Sequence, residues 1–178
     1  WNLESDGPLK IDGEWEFYKN RLYSPNDFDS NSVIQKSYLP VPGLWNKQSS
    51  DKSGIGYGTY RLILKNLPQN KIFALNINRI QSAYKIWING KLMNTVGIPG
   101  INKKESTAGW SSDDIYFTAT DIECEIIIQV SNFHHQKGGI EHSIYFGADQ
   151  IISARSLRLS AVSIFLLGVL LIMATYHL

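Results

Sequence analysis

Apolar and polar residues alternate in short runs along most of this chain, and Gly, Pro, Asn or Asp bounds each run. The runs are rich in β-branched and aromatic residues, and no helical period competes with them before residue 150. The pattern therefore predicts an all-β domain of short strands. The candidate strands are residues 9–18, 33–41, 58–66, 71–80, 83–89, 91–96, 113–117, 122–131 and 142–146.

One local signal is stronger than the others. Asn89-Gly90 separates two alternating runs and supplies the two positive φ angles that a type I′ hairpin turn requires. Many short strands at this spacing in one domain favour two packed sheets over a small barrel. The predicted fold class is all-β, a two-sheet jelly roll or β-sandwich, followed by a C-terminal apolar helix.

The pattern changes at the C-terminal end, where residues 161–178 form the uninterrupted apolar run AVSIFLLGVLLIMATYHL. A hydrocarbon core about 30 Å thick needs about 20 apolar residues in a helix. We interpret residues 156–178 as the start of a transmembrane helix and residues 1–155 as one compact domain. A buried helix, or one that pairs with its own copy, is the alternative, but this run lacks the polar stripe of such a helix.

Charge and cysteine content narrow the range of functions. Lys and Arg total 17 against 16 Asp and Glu, so no nucleic-acid partner is expected. The single cysteine, Cys124, excludes an internal disulfide framework, and its period-two spacing with Ile122, Ile126 and Ile128 predicts a core position. The chain opens at Trp1 without Met or an apolar leader, which fits a removed signal peptide or a trimmed start.

The sequence does not predict an enzyme. Its carboxylates are scattered or alternate with core residues, so no pair suited to glycoside hydrolysis stands out. No G-x-S-x-G segment occurs, and the glycines of residues 54–58 lack the Lys-Ser/Thr of a phosphate-binding loop. We expect no catalytic residues and no cofactor.

A histidine-containing loop offers a candidate binding segment. His134 and His135 follow Asn132, with Glu141 and His142 shortly after. Adjacent histidines in an extended segment point to opposite faces and no H-x-H spacing is present, so no metal site is expected. Asn132 and His134 are instead predicted to contact a polar ligand, because both offer donors and acceptors. A solvated loop is the alternative.

Aromatic residues outside the strands are the second group of candidates. Trp45 follows a Pro-Gly turn, Trp110 lies in the polar segment 97–112, and Tyr57 lies in a glycine-rich approach to a strand. Loop aromatics at the end of a sandwich can stack on sugar rings. Alternatively, Trp45 and Trp110 close the open end of the sandwich.

Arg61 is a further candidate, because its strand neighbours Tyr60 and Leu62 should face the core while Arg61 faces outward. Alternatively, Arg61 is a solvent-exposed charged residue on a strand and has no binding function. Our hypothesis is that Arg61, Tyr84, Asn132 and His134 line one shared pocket.

Several motifs carry a family resemblance. They are residues 13–18 (GEWEFY), 41–45 (VPGLW), 56–61 (GYGTYR), 80–90 (IQSAYKIWING), 130–133 (VSNF), 138–140 (GGI) and 145–147 (YFG). Because these motifs occur in the same order, the chain resembles the extracytoplasmic jelly-roll domain of bacterial seven-transmembrane receptors with diverse intracellular signalling modules. Residues 165–178 look like the start of the first membrane helix of such receptors. The pattern is also similar to the N-terminal galactose-binding-like domain of β-glucuronidase-type glycosidases, which is not their catalytic part.

The resemblance implies a galactose-binding-like sandwich that senses a carbohydrate or small polar ligand in the periplasm or outside the cell. It also implies a cytoplasmic output module beyond this chain. Arg155 and Arg158, taken alone, would place the same flank in the cytoplasm. A module that binds another protein, or forms a homodimer, on the outer side of the membrane is the alternative function.

Overall fold

The computed structural model describes residues 7–29, 35–47 and 52–176. Short strands form two main antiparallel sheets, and one long helix follows them. The strands are β1 (Leu9–Lys10), β2 (Gly13–Lys19), β3 (Ser37–Val41), β4 (Gly43–Leu44), β5 (Gly56–Lys65), β6 (Lys71–Ile77), β7 (Ala83–Ile88), β8 (Lys91–Val96), β9 (Asp113–Ala119), β10 (Glu123–Asn132), β11 (Gly139–Ile140) and β12 (Tyr145–Ala148). The helices are α1 (Pro25–Asp29), a 3-10 turn at Trp45–Lys47 and α2 (Asp149–Tyr176).

The two sheets form a sandwich. The large sheet has the order β3-β2-β5-β10-β7-β8, and the small sheet has the order β1-β12-β6-β9. Strands β4 and β11 pair separately as a ribbon at one end of the sandwich. The predicted fold class, an all-β sandwich followed by an apolar helix, is confirmed.

The core lies between the two sheets, as the alternation of apolar residues predicts. On β10 the inward side chains of Cys124, Ile126, Ile128 and Val130 are fully buried. The core position of Cys124 is confirmed, and burial raises the pKa of its thiol to about 12. Ile122 was expected on the same face, but it is exposed because β10 begins only at Glu123.

The Asn89-Gly90 hairpin is confirmed. Strands β7 and β8 pair on either side of these two residues, with Ile88 opposite Lys91. Asn89 has φ +47° and Gly90 has φ +78°, the left-handed values that a type I′ turn requires at both positions.

Several predicted boundaries were wrong. The single strand expected at 9–18 is divided, since β1 pairs with β12 in the small sheet and β2 pairs with β3 and β5 in the large one. Between them, Ile11 is buried and donates its N–H to the Ile144 carbonyl. Strand β3 begins at Ser37, and the predicted residues 33–34 lie outside the described residues. The strand expected at 142–146 lies at Tyr145–Ala148, and α1 was not expected.

Helix α2 begins at Asp149, before the expected start at residue 156, and its first turns pack on the sandwich. Ile152 is fully buried, and the hydroxyls of Ser153 and Tyr116 are hydrogen bonded at 3.0 Å. The later turns are exposed and apolar, and by length and composition the helix could cross a membrane. Within the described residues it is the one helix with these properties.

Candidate functional site

Loops from distant parts of the chain meet at the end of the sandwich that carries the β4–β11 ribbon. They are the 3-10 turn at Trp45–Lys47, residues 52–55 before β5, and residues 133–138 after β10. We call this region the end-loop cluster. Trp45 donates its backbone N–H to the Gly138 carbonyl, and the Asn46 amide bonds the backbone of Gln136 and Gly138. The cluster is therefore a hydrogen-bonded unit.

Asn132 lies at the centre of the end-loop cluster and is fully buried. Its Nδ2 lies 2.7–2.9 Å from the carbonyl oxygens of Gly54, His135 and Lys137. Its Oδ1 accepts the backbone N–H of His135 at 2.9 Å. Because both ends of this amide bond the backbone, Asn132 shapes the loops in this structure.

Glycines allow these loops to approach each other. A Cβ on Gly54 would lie 2.1 Å from the Gln136 carbonyl oxygen. A Cβ on Gly138 would lie 2.1 Å from the Gly54 carbonyl oxygen and equally close to Nε1 of Trp45. The indole N–H of Trp45 donates to the same Gly54 carbonyl at 2.9 Å.

A cleft opens beside the end-loop cluster, between the ends of β2, β3 and β5. We call it the end cleft, and it encloses about 140 Å³. Phe17, Leu39 and Trp45 form its largely buried apolar floor, and the ring of Tyr57 lies at its side. Its polar lining includes Lys19, Asn20 and Ser37.

The end cleft continues into a wider cleft of about 630 Å³ along the end of β2 and the start of β3. Small-molecule sites typically enclose about 300–1,000 Å³. The wider cleft adds Arg21, Tyr23, Gln35 and Lys36 to residues that it shares with the end cleft. Among the described residues, no carboxylate lines either cleft, so the combined surface carries positive charge.

Trp45 has the packing role that the sequence offered as the alternative, and ligand contact by Trp45 stays a prediction. The residue is 9% exposed and the centre of its ring lies 6.1 Å from that of the Phe17 ring, so Trp45 closes the end of the sandwich. Its remaining surface lies in the floor of the end cleft beside Tyr57. Trp110 lies elsewhere, is 79% exposed and lines neither cleft.

The four residues of the shared-pocket hypothesis do not share one pocket. Arg61 projects from the outer face of the large sheet, whereas Tyr84 and Asn132 occupy inward positions, because side chains alternate along a strand. Tyr84 is fully buried, and burial together with the charge of Asp113 raises its pKa to about 12. His134 lies in the end-loop cluster, where its Nε2 is 3.2 Å from the Ser106 carbonyl oxygen. Ligand contact by these residues stays a prediction.

Arg61 belongs to a charge network on the outer face. Its Nε and Nη2 lie 2.6 Å from Oε1 of Glu125, and its Nη1 lies 3.1 Å from Oε2 of Glu16. The Phe28 ring of α1 lies 4.8 Å from the guanidinium carbon. Burial raises the pKa of Glu16, but hydrogen bonds from Lys36, Tyr18 and Arg61 outweigh it and hold that pKa below its ordinary value.

Sequence reasoning missed the polar residues of the end cleft. Lys19 and Asn20 directly follow the last alternating residues of β2, and Ser37 opens β3 opposite Phe17. The only sequence signal for these residues is their position at strand ends. This signal is unspecific, because polar residues are common at the strand ends of sandwich folds. For metal binding, the described residues contain no group of three or more His, Cys, Asp or Glu that could hold an ion.

Comparisons with known proteins show the fold. A GH2 β-galacturonidase from Eisenbergiella tayi bound to glycerol matches over 80% of this chain and 25% of its own, at a TM-score of 0.56 and 11% identity. A β-glucuronidase from Ruminococcus gnavus in complex with D-glucuronic acid matches over 83% of this chain and 31% of its own, at a TM-score of 0.59 and 13% identity. A β-glucuronidase from an uncultured Clostridium sp. matches over 81% of this chain and 29% of its own, at a TM-score of 0.59 and 14% identity.

This chain spans 25%, 31% and 29% of the lengths of these three solved structures, respectively. No protein-family model and no curated protein matches it. At such low identity the structural likeness concerns the fold alone. The sandwich likeness to β-glucuronidase-type enzymes, expected from the sequence motifs, is thus confirmed as a β-sandwich fold of the kind found in these glycosidases.

Proposed function

We propose that this chain is the ligand-binding domain of a membrane protein, with the end cleft as its binding site and α2 as its anchor. The ligand class is a carbohydrate or a similarly small polar molecule. The observation that carries the proposal is the end cleft, where an aromatic floor lies beside a polar rim. Aromatic rings stack on the apolar faces of sugar rings, and the rim supplies hydrogen-bond donors and acceptors for hydroxyl groups.

The charge of the rim refines the ligand class. Lys19 lines both clefts and Arg21 extends the positive surface, whereas Lys36 is ion-paired with Glu16 at 2.7 Å. Among the described residues, the lining of the two clefts includes no carboxylate. A charge-assisted hydrogen bond to an anionic group is stronger than one between neutral groups. The site should therefore prefer a sugar acid or another carboxylate over the neutral sugar of the same shape.

In the full-length protein, this domain lies outside the cytoplasm and signals to an output module beyond residue 178. The family resemblance of the sequence motifs suggests this role. The packed first turns of α2 supply a physical connection, because Ile152 and Ser153 bind the helix to the sandwich. A flexible Gly-Ser insertion after Asp149 should uncouple ligand binding from output in the intact protein, and unchanged signalling would contradict rigid coupling.

The binding proposal is tested with the full chain in detergent or nanodiscs. Galacturonate and galactose form a matched pair that differs in the carboxylate, and binding is measured by calorimetry and by the rise in melting temperature. Free ligand at 100 times Kd stabilises a folded protein by about 2.7 kcal/mol. Saturable binding of the acid, weaker binding of the neutral sugar, and loss of both in Tyr57→Ala and Lys19→Ala would support the end cleft.

Matched controls lie outside the clefts. Trp110→Ala removes an exposed aromatic ring and Lys103→Ala removes an exposed lysine, and both variants should bind as the wild type does. If Trp110→Ala abolished binding while Tyr57→Ala did not, the end cleft would not be the site. Absence of binding across sugars, sugar acids and small carboxylates would overturn the proposal.

A protein-binding or self-assembly function is the second candidate. The segment 97–112, which folds against the outer face of the large sheet, exposes Ile98, Ile101 and Trp110. Exposed apolar side chains on one segment are a feature of interaction surfaces. Sedimentation of the chain in detergent, with Trp110→Ala as the comparison, would show whether this segment mediates a dimer.

A further inference from the structure

The base of α2 forms a basic groove against the small sheet. Pro8 and the helix residues Ile151, Ala154, Arg155, Arg158 and Leu159 line it. Buried Ile152 fixes the position of the first helical turns on the sandwich. The groove is thus a built feature at the junction of the domain and the apolar helix.

Both arginines of this groove have unused donors. Arg155 places its guanidinium carbon 3.8 Å from the centre of the Tyr145 ring, and its Nε is buried without a hydrogen-bond partner. Lys10 adds a third cation, 5.8 Å from the same ring. Arg158 lies three residues further along the helix, on the same side, and is exposed. Within the part of the chain that the structure describes, no carboxylate forms an ion pair with either arginine.

The groove lies next to the apolar run. Arg158 precedes Ala161 by three residues, which is about 4.5 Å along a helix. If residues beyond Ser160 enter the hydrocarbon core, both guanidinium groups lie at the depth of the lipid headgroups. Leu159, two residues before the apolar run, then faces the upper part of an acyl chain.

We propose that this groove binds the phosphate of an anionic phospholipid in the leaflet next to the sandwich, a site that rests on the proposed membrane insertion of α2. Arginine forks match phosphate geometry, and the Tyr145 ring holds one fork in place before the lipid arrives. The site also accounts for two arginines on a flank that the proposed function places outside the cytoplasm. Here they serve headgroup binding.

The test measures lipid selectivity of the full chain in phosphatidylcholine bilayers. Trace spin-labelled phosphatidylglycerol or phosphatidylcholine reports, by electron spin resonance, the fraction of lipid immobilised by the protein. A basic residue near a bilayer surface favours anionic lipid roughly fivefold. The wild type should therefore prefer phosphatidylglycerol over phosphatidylcholine, and Arg158→Ala should reduce this preference about fivefold. Raising the salt concentration should weaken the preference.

Variants distinguish lipid binding in the groove from a general attraction of anionic lipid by positive charge. Arg155→Ala/Arg158→Ala should abolish the preference, whereas Arg155→Lys/Arg158→Lys should keep only part of it because lysine lacks the planar fork. Lys103→Ala, a change of equal charge on the loop 97–112, should leave it intact. Because Arg158 is exposed, its single variant keeps the fold and the result stays interpretable if Arg155→Ala unfolds.

The outcomes also distinguish this proposal from the proposed function. Wild-type protein that floats with vesicles but shows no preference for phosphatidylglycerol would overturn the groove alone, while failure to float would overturn the anchor as well. Inorganic phosphate, compared with sodium chloride at equal ionic strength, should not reduce the preference. Complete loss of the preference with phosphate would show a site for the free anion and overturn the lipid assignment. Binding of sugars at the end cleft is measured separately and is unaffected by either result.

Discussion

The side-chain amide of Asn132 donates to the backbone carbonyl of Gly54 at 2.8 Å, although 78 residues separate them in the chain. The indole N–H of Trp45 donates to the same oxygen. Two side-chain hydrogen bonds, one from a buried amide and one from a buried indole, thus position the segment that leads into Gly56 and Tyr57. The shape of the end cleft depends on this bond although Asn132 does not line the cleft.

Asn132→Ala should destabilise the fold. The change removes bonds to the carbonyls of Gly54, His135 and Lys137 and leaves buried backbone groups unsatisfied. Each buried polar group left unpaired costs about 1–3 kcal/mol, so urea denaturation should show a loss of roughly 2–4 kcal/mol in the free energy of unfolding. Asn78→Ala, at an exposed asparagine that bonds only the next backbone N–H, is the control. Unchanged stability with lost ligand binding would instead make Asn132 a binding residue.

Gly138→Ala should damage the end-loop cluster more severely. The new Cβ would lie 2.1 Å from both the Gly54 carbonyl oxygen and Nε1 of Trp45, so one of the two loops must move. Overpacking of this kind typically costs about 1–3 kcal/mol or more. Gly147→Ala meets only ordinary contacts at 3.6 Å and beyond, and its melting temperature should stay close to that of the wild type. Equal melting temperatures for the two variants would contradict this account of the loops.

The Glu16 network should make stability depend on acidic pH. The pKa of Glu16 is lower in the folded protein than its ordinary value of 4.5, so its contribution is present above that value. The contribution is lost as the pH falls through the folded-state pKa. Glu16→Gln removes this titration, and its free energy of unfolding should therefore fall less than that of the wild type between neutral pH and pH values below 4.5.

Urea denaturation over a series of pH values measures this difference. Glu14→Gln, two residues earlier on β2 at an exposed position, provides a comparison of equal charge change. Parallel pH profiles for the wild type and Glu16→Gln would show that the network does not couple folding to protonation.

Leu167→Arg should impair membrane insertion. Leu167 lies in the middle of the exposed apolar part of α2. An arginine at the centre of a transmembrane helix raises the free energy of insertion by about 2.5–3.5 kcal/mol on translocon scales, whereas alanine there changes it little. Alkaline extraction should release Leu167→Arg from membranes and leave Leu167→Ala bound. Retention of both variants to an equal extent would argue against α2 as a membrane span.

The sequence alone determined the fold class and much of the core. Period-two alternation places Tyr60, Cys124, Ile126 and Ile128 inward, and all four are buried as expected. The alternation is a local property, since side chains on a strand point to opposite faces whatever the strand pairs with. The Asn89-Gly90 hairpin and the apolar helix were predictable for the same reason.

The tertiary structure decided what the local pattern does not contain. The division of the predicted strand at 9–18 depends on which sheet each half joins, and that choice is made by partners more than a hundred residues away, such as β12. Likewise, Arg61 on β5 and Tyr84 on β7 are both polar residues on apolar strands that flank β10, but their side chains lie on opposite faces of the sheet.

The candidate site likewise contains residues that the sequence identified and residues that only the tertiary structure identified. Trp45 and Tyr57 were identified from the sequence because aromatic residues beside glycines stand out locally. Lys19 and Ser37 were not, because they become neighbours only through the pairing of β2 with β3 and the closure of the end loops. A binding cleft is made by residues that are distant in the chain, so its lining is a property of the tertiary structure.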